Sequence, residues 1–198
     1  MSGERRPVLP VQNRVDTVGP GAFLAVVGAS GVGKDALLSY ARERLDEGAV
    51  RFPRRVITRP AGAGEDHEPI GEAEFAEACE RNAFAVWWRA HGLGYGIPAA
   101  VDGDILAGRA VVANVSRGVL GALAVRYERF VVVRVTLSDD VRAQRLRGRG
   151  REAPHDIAQR LARVDPAPHH PVDVEIRNDG TLAEGGQALV TAILRART

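Results

Sequence analysis

An α/β fold built on a parallel sheet is predicted by three features of this chain. Short apolar runs of strand character recur along it, among them residues 23–27, 109–115 and 130–137. Segments with helical apolar spacing separate these runs, the alternation expected of strand–helix–strand units. The first run leads straight into Gly28-Ala29-Ser30-Gly31-Val32-Gly33-Lys34 and then into a helical pattern. A strand, a glycine-rich loop closed by lysine and a helix, in that order, form the setting of a phosphate-binding loop.

The elements follow in order. Residues 23–27 are apolar throughout, which suits a strand covered on both faces. A helix over 33–45 buries Leu37, Leu38, Ala41 and Leu45 at its apolar spacing. Residues 54–58 read as a second strand, and 60–71, rich in glycine and proline, as a loop. A short helix is expected at 72–81 and a strand at 84–90, then a turn through Gly92-Leu93-Gly94-Tyr95-Gly96. Residues 102–107 read as helix, 109–115 as a buried strand, 118–127 as helix and 130–137 as another buried strand. Helices at 139–147 and 155–164 flank a basic loop at 148–154, and a strand at 172–177 precedes a closing helix at 182–195. Two segments, 59–98 and 148–155, interrupt the plain alternation. An acceptor site and a closing lid would be inserted there, since excluding water keeps it from competing as a phosphoryl acceptor.

The composition, 45% hydrophobic and 26% charged, fits one soluble globular domain of ordinary size. A formal charge of +2 is too mild to imply nucleic acid or membrane as a partner. The arginines are spread out with no aromatic-interleaved patch, and no stretch reaches transmembrane length. The single cysteine, Cys79, excludes an internal disulfide and suits a reducing cytoplasm; its helical spacing with Phe75 and Ala78 reads as packing. Residues 1–21 hold scattered prolines and charges without an apolar signal region, and are expected to be a loosely ordered tail before a domain at 22–198. No feature sets an oligomeric state.

Lys34 is the only lysine; the other 26 basic side chains of the Lys and Arg class are arginines. Its compact ammonium can follow the β- and γ-phosphates of a nucleotide as a point charge, where a planar guanidinium fits less well. Gly28, Ala29, Ser30, Gly31, Val32 and Gly33 are expected to wrap the phosphates with backbone N–H groups, with the Ser30 hydroxyl a further contact. Asp35 stands where such loops usually carry the Ser or Thr that binds Mg²⁺. A carboxylate is a suitable hard-oxygen ligand, although the helix dipole alone also favours an aspartate in a first turn. Other residues read as structural: His67, His169 and His170 lack metal-ligand spacing, Trp87 and Trp88 read as packing, and Asp102 and Asp104 as helix-capping residues.

Further along the chain come Ile57-Thr58-Arg59-Pro60 with Gly64-Glu65, the turn at 92–96, Arg145-Leu146, Gly148-Arg149-Gly150, Arg160-Leu161 and Asn178-Asp179. In this order, from about residue 22 onward, the chain resembles the guanylate kinase group. The resemblance implies a P-loop nucleoside-monophosphate-kinase-like three-layer α/β fold with a parallel sheet, an acceptor-binding insertion at 59–98 and a lid at 148–155.

The acceptor side departs from that group. Ala61-Gly62-Ala63 lacks the group's second phosphate arginine, and Val86 stands where the group has a guanine-reading glutamate. The run Ala113-Asn114-Val115-Ser116-Arg117 lacks its aspartates. A base bound without its polar readers loses about 1–3 kcal/mol per unpaired group, so GMP is not the expected acceptor. Asp35, Val56-Ile57-Thr58-Arg59, Trp88 with Ala90, Tyr95-Gly96, Asn114 with Ser116-Arg117 and Asn178-Asp179-Gly180 are instead similar to the ribose 1,5-bisphosphate phosphokinases of bacterial phosphonate catabolism.

That resemblance implies ATP and Mg²⁺ as cofactors, a phosphorylated sugar as the small-molecule partner, 5-phosphoribosyl 1-diphosphate as product and a cytoplasmic location. It implies catalytic roles for Lys34, Arg149 and Arg160, nucleotide contacts from the loop, Asp35 and Asn178, and metal binding by Asp35. Arg59, His91, Tyr95 and Arg117 are the expected acceptor-side residues. A nucleoside monophosphate kinase of the same fold remains an alternative. A non-catalytic guanylate-kinase-like interaction domain is another, and the intact Lys34 loop argues against it.

Overall fold

The computed structural model describes residues 17–62, 66–138, 141 and 170–198. Its central sheet has five strands, β1 (Val18–Val27), β2 (Val50–Arg51), β7 (Ala110–Asn114), β8 (Tyr127–Thr136) and β9 (Val174–Arg177). They lie in the order β2-β7-β1-β8-β9, and every neighbouring pair is parallel.

The apolar run of β1 explains why it lies at the centre, because both of its faces are covered. Leu24 and Val26 pack with Leu37 and Ala41 of α1 (Lys34–Arg42) and with Leu189 and Ile193 of α5 (Leu182–Ala196). Phe23, Ala25 and Val27 pack on the other side with Val101 and Ile105 of α3 (Val101–Leu106) and Leu120 and Leu123 of α4 (Leu120–Arg126). The result is the expected three-layer α/β arrangement. A reciprocal capping box between Thr181 and Glu184 starts α5.

A second sheet of four strands, in the order β4-β3-β6-β5, joins β3 (Arg55–Ile57), β4 (His67–Pro69), β5 (Phe84–Ala90) and β6 (Leu93–Pro98). Helix α2 (Glu72–Glu80) covers its outer face through Phe75, whose ring lies 5.1 Å from that of Phe84 and 6.3 Å from that of Trp87. Val86 and Ile97 face the other way and join Val115 and Val119 in the core of the first sheet.

Several expectations need correction. The strand expected at 54–58 is present as β3, but it belongs to the second sheet, which therefore begins ahead of residue 59. β1 starts at Val18, so residues 18–21 are strand rather than tail; Gly19 and Pro20 fall where the pairing to β8 shifts register, a position that tolerates proline. The loop at 60–71 contains β4, and the turn at 92–96 is mostly β6. Glycines are needed in β6 because aromatic rings lie against its backbone: a Cβ at Gly96 would sit 2.5 Å from the Phe84 ring. Helix α1 stops at Arg42, and the two-residue β2 was not anticipated. The helices expected at 139–147 and 155–164, the lid at 148–155, and Arg149 and Arg160 lie outside the described residues.

Candidate active site

The phosphate loop leaves the C-terminal end of β1 and enters α1. Gly33, which caps the helix, has φ 95°, a left-handed conformation that glycine adopts without steric cost. Gly28 is required for a different reason: a Cβ there would lie 2.3 Å from the carbonyl oxygen of Val135 in the neighbouring strand. The Lys34 ammonium folds back over the loop and donates to the carbonyls of Gly28 at 2.9 Å and Ala29 at 3.0 Å. Backbone amides, a cation and the N-terminus of a nine-residue helix thus converge. This donor set fits a polyphosphate.

Asn178 follows β9 and is buried. Its backbone N–H donates to Thr136 at 2.9 Å, and its side-chain amide donates to the Val32 carbonyl at 2.8 Å. The contact made by this expected nucleotide residue is therefore with the loop itself, from beneath. Its neighbour Asp179 accepts from the Ser138 N–H at 2.7 Å and pairs with Arg177. The backbone bond first, then the guanidinium, hold the Asp179 carboxyl below its ordinary pKa.

Asp35 is exposed at the start of α1, and its Oδ1 collects two partners from other elements. Asn114, the last residue of β7, donates to it at 2.9 Å, and the Arg55 guanidinium of β3 lies 3.6 Å away. The loop, the C-terminal edge of the central sheet and the second sheet meet at this one carboxylate. Among the described residues no three His, Cys, Asp or Glu side chains cluster as a metal site. A Mg²⁺ ion here would take Asp35 together with phosphate oxygens and water, the usual habit of Mg²⁺ at nucleotides, and the residues present fit that role.

On the acceptor side, Tyr95 of β6 stacks on Trp88 of β5, with centroids 5.3 Å apart and an interplanar angle of 4°. Register pairs Ile57 and Trp88 with Tyr95, so these three share a face, and Arg55, two residues before Ile57, shares it too. Arg59 lies just beyond β3, half-buried. Its guanidinium donates to the Pro60 carbonyl at 3.4 Å, and its own carbonyl faces Nε2 of buried His67 at 3.2 Å. Thr58 accepts from the Gly94 N–H at 2.8 Å. It also holds the Glu72 carboxyl below its ordinary pKa by a hydrogen bond, helped by Arg89. His91 has φ 57° and occupies, with Gly92, the exposed turn between β5 and β6. Arg117 opens the 3-10 turn Arg117–Val119 after β7, three residues beyond Asn114; Ser116 caps that turn by accepting from Gly118 at 3.3 Å.

No family model matches the chain. Among curated proteins, the ribose 1,5-bisphosphate phosphokinase PhnN of Pseudofrankia inefficax is 66% identical over 181 residues, 91% of this chain and 95% of that one. This chain belongs to the ribose 1,5-bisphosphate phosphokinase family. A phosphokinase of the same name from Bradyrhizobium diazoefficiens is 43% identical over 92% of each chain. The guanylate kinase of Anaplasma phagocytophilum superposes with a TM-score of 0.65 at 18% identity, covering 90% of this chain and 87% of that one, which shows the shared fold.

Val86 is buried in the seam between the sheets, packed with Ile97, Val115 and Val119. A cavity of about 280 Å³ at the β2 edge, lined in part by Arg42, Arg51, Phe52 and Asp104, shares no lining residue with the phosphate loop. Sequence reasoning missed Arg55, whereas Trp88, read as packing, does pack on Tyr95. Arg55 directly precedes Val56-Ile57-Thr58-Arg59 but looks like any other arginine here, so only its contact with Asp35 marks it.

Proposed function

We propose that this protein transfers the γ-phosphoryl group of ATP to the 1-phosphate of ribose 1,5-bisphosphate, releasing ADP and 5-phosphoribosyl 1-diphosphate. One observation carries the reading: the loop closed by Lys34 and the acceptor-side face meet at Asp35. The family membership supports the choice of acceptor. An oxygen of the 1-phosphate attacks the γ-phosphorus, and the bond from that phosphorus to the β–γ bridging oxygen breaks, so ADP leaves with that oxygen. The nucleophile is already anionic, so the site needs no strong general base. Positioning and charge neutralisation supply the catalysis.

Each residue then has a role. The Lys34 ammonium exchanges its two loop carbonyls for β- and γ-phosphate oxygens, and Asn178 keeps the loop in shape by holding Val32. Gly28, Ala29, Ser30, Gly31, Val32 and Gly33 surround the phosphates. Asp35 is the residue that would hold Mg²⁺, and the ion would supply neutralisation of phosphate charge there. Arg149 and Arg160 are assigned to the lid, where guanidiniums suit bidentate phosphate contacts. Arg59, Arg117, Tyr95 and His91 are assigned to the sugar bisphosphate. No described helix is long and apolar enough to cross a membrane. A cytoplasmic location follows from the use of ATP and fits phosphonate catabolism as the setting.

The test is a panel of acceptors incubated with ATP and Mg²⁺ and followed by phosphorus NMR. Diphosphate resonances of 5-phosphoribosyl 1-diphosphate should appear with ribose 1,5-bisphosphate, and GMP should react far more slowly. A higher kcat/KM for GMP overturns the assignment in favour of a nucleoside monophosphate kinase. Turnover of no acceptor favours a non-catalytic domain.

A further inference from the structure

We infer that Arg55 is the acceptor-side residue that grips the attacking phosphate, and that its ion pair with Asp35 is a resting contact which substrate binding replaces. The inference rests on the function proposed above. Arg54 directly precedes β3 and Arg55 opens it, and their guanidiniums go to different partners. Arg54 turns away from the loop and is held by Asp66 at 2.8 Å and by the His67 carbonyl at 3.2 Å. Arg55 turns towards the loop, and its guanidinium stops 3.6 Å from Asp35, the residue directly after Lys34.

Its position suits an anion held between the two sheets. Arg55 shares a face with Ile57, Tyr95 and Trp88, and its side chain is only one-quarter exposed. Asp35, by contrast, is 79% exposed, and an open pair at this separation is weak. A phosphate dianion offers the same guanidinium two oxygens and more charge, so it outcompetes one carboxylate oxygen. Asp35 does not swing loose in the exchange, because Asn114 holds the same Oδ1 at 2.9 Å. The carboxylate therefore stays aimed into the site when the guanidinium leaves.

Calorimetric titration of ribose 1,5-bisphosphate into the whole protein, with Mg²⁺ and a non-hydrolysable ATP analogue present, tests this. Arg55→Gln should raise the acceptor Kd by about tenfold or more and leave the analogue Kd within about twofold and the melting temperature unchanged. Arg55→Lys should recover part of the loss. Without nucleotide, Asp35→Asn should tighten acceptor binding about threefold, and this gain should vanish in the Asp35→Asn/Arg55→Gln double variant. An undiminished acceptor affinity in Arg55→Gln overturns the role of Arg55. A gain that persists in the double variant overturns the exchange, because general repulsion by Asp35 then accounts for it. If the unaltered protein does not bind ribose 1,5-bisphosphate, the proposed function falls and this inference falls with it.

Discussion

The side-chain amide of Asn178 reaches the carbonyl of Val32 at 2.8 Å across 146 positions of sequence. It ties the end of β9 to the phosphate loop, and the space around it is filled: a Cβ on Gly185 of α5 would lie 2.5 Å from Asn178 Oδ1 and 3.0 Å from Leu37 Cδ2. The loop is thus shaped from below by a residue that no sequence-local argument connects to it.

Asn178→Ala should therefore cost about 1–3 kcal/mol of stability, the penalty for leaving a buried carbonyl unpaired, and should weaken ATP binding. Gly185→Ala should reproduce both effects by pushing the amide off Val32. Urea unfolding and nucleotide titration of the two variants check this; normal ATP affinity in both would show that the loop keeps its shape unaided.

Lys34→Ala should lower kcat by about a hundredfold or more in a folded protein, the usual result of removing one preorganised electrostatic stabiliser. Steady-state kinetics beside a circular dichroism melt separate loss of chemistry from loss of fold. Near-normal turnover would remove Lys34 from the catalytic assignment.

Val86→Glu should not create a guanylate kinase. Val86 is 7% exposed and packs in the cluster of Ile97, Val115 and Val119, so a glutamate there is buried without a partner. A loss of about 3 kcal/mol or more is expected, since a charged group exceeds the penalty of a neutral unpaired one. GMP turnover should not rise; a stable variant that phosphorylates GMP would contradict the seam seen here.

Asp179 links stability to pH. Its pKa in the folded protein is depressed by the Ser138 N–H and then by Arg177. The carboxylate's contribution is fully present above the unfolded value and is lost as pH falls through the folded one. Urea midpoints of the parent protein and Asp179→Asn should differ at pH 7, and the gap should close as pH falls through and below the ordinary carboxylate range. A gap that is the same at both pH values would assign the effect to shape rather than charge.

The sequence disclosed the phosphate loop because its chemistry is short-range: strand, glycines, lysine and helix are contiguous. It also disclosed β5, whose bounds at Phe84 and Ala90 match the expectation, and the central strands, whose apolar runs reflect burial on both faces. Non-local causes stayed hidden. The glycines of β6 read as a turn, since only the folded protein shows the rings of Phe75 and Phe84 against Gly94 and Gly96. β4 is three residues long with Pro69 at its end, too short for any periodicity. Arg55 and Asn114 became site residues only when folding brought them to Asp35, and in so arginine-rich a chain no local pattern singles one guanidinium out.

Lys34 carries the only side-chain primary amine in the chain, and that amine rests on the Gly28 and Ala29 carbonyls. Amine-directed acylating reagents consequently have one side-chain target, at the heart of the phosphate loop. Guanidiniums ignore such reagents, so the abundance of arginine adds no background. A single mass increment on the tryptic peptide containing Lys34, gained in bare protein and withheld when nucleotide is bound, reads occupancy of this loop directly, with no need to follow turnover.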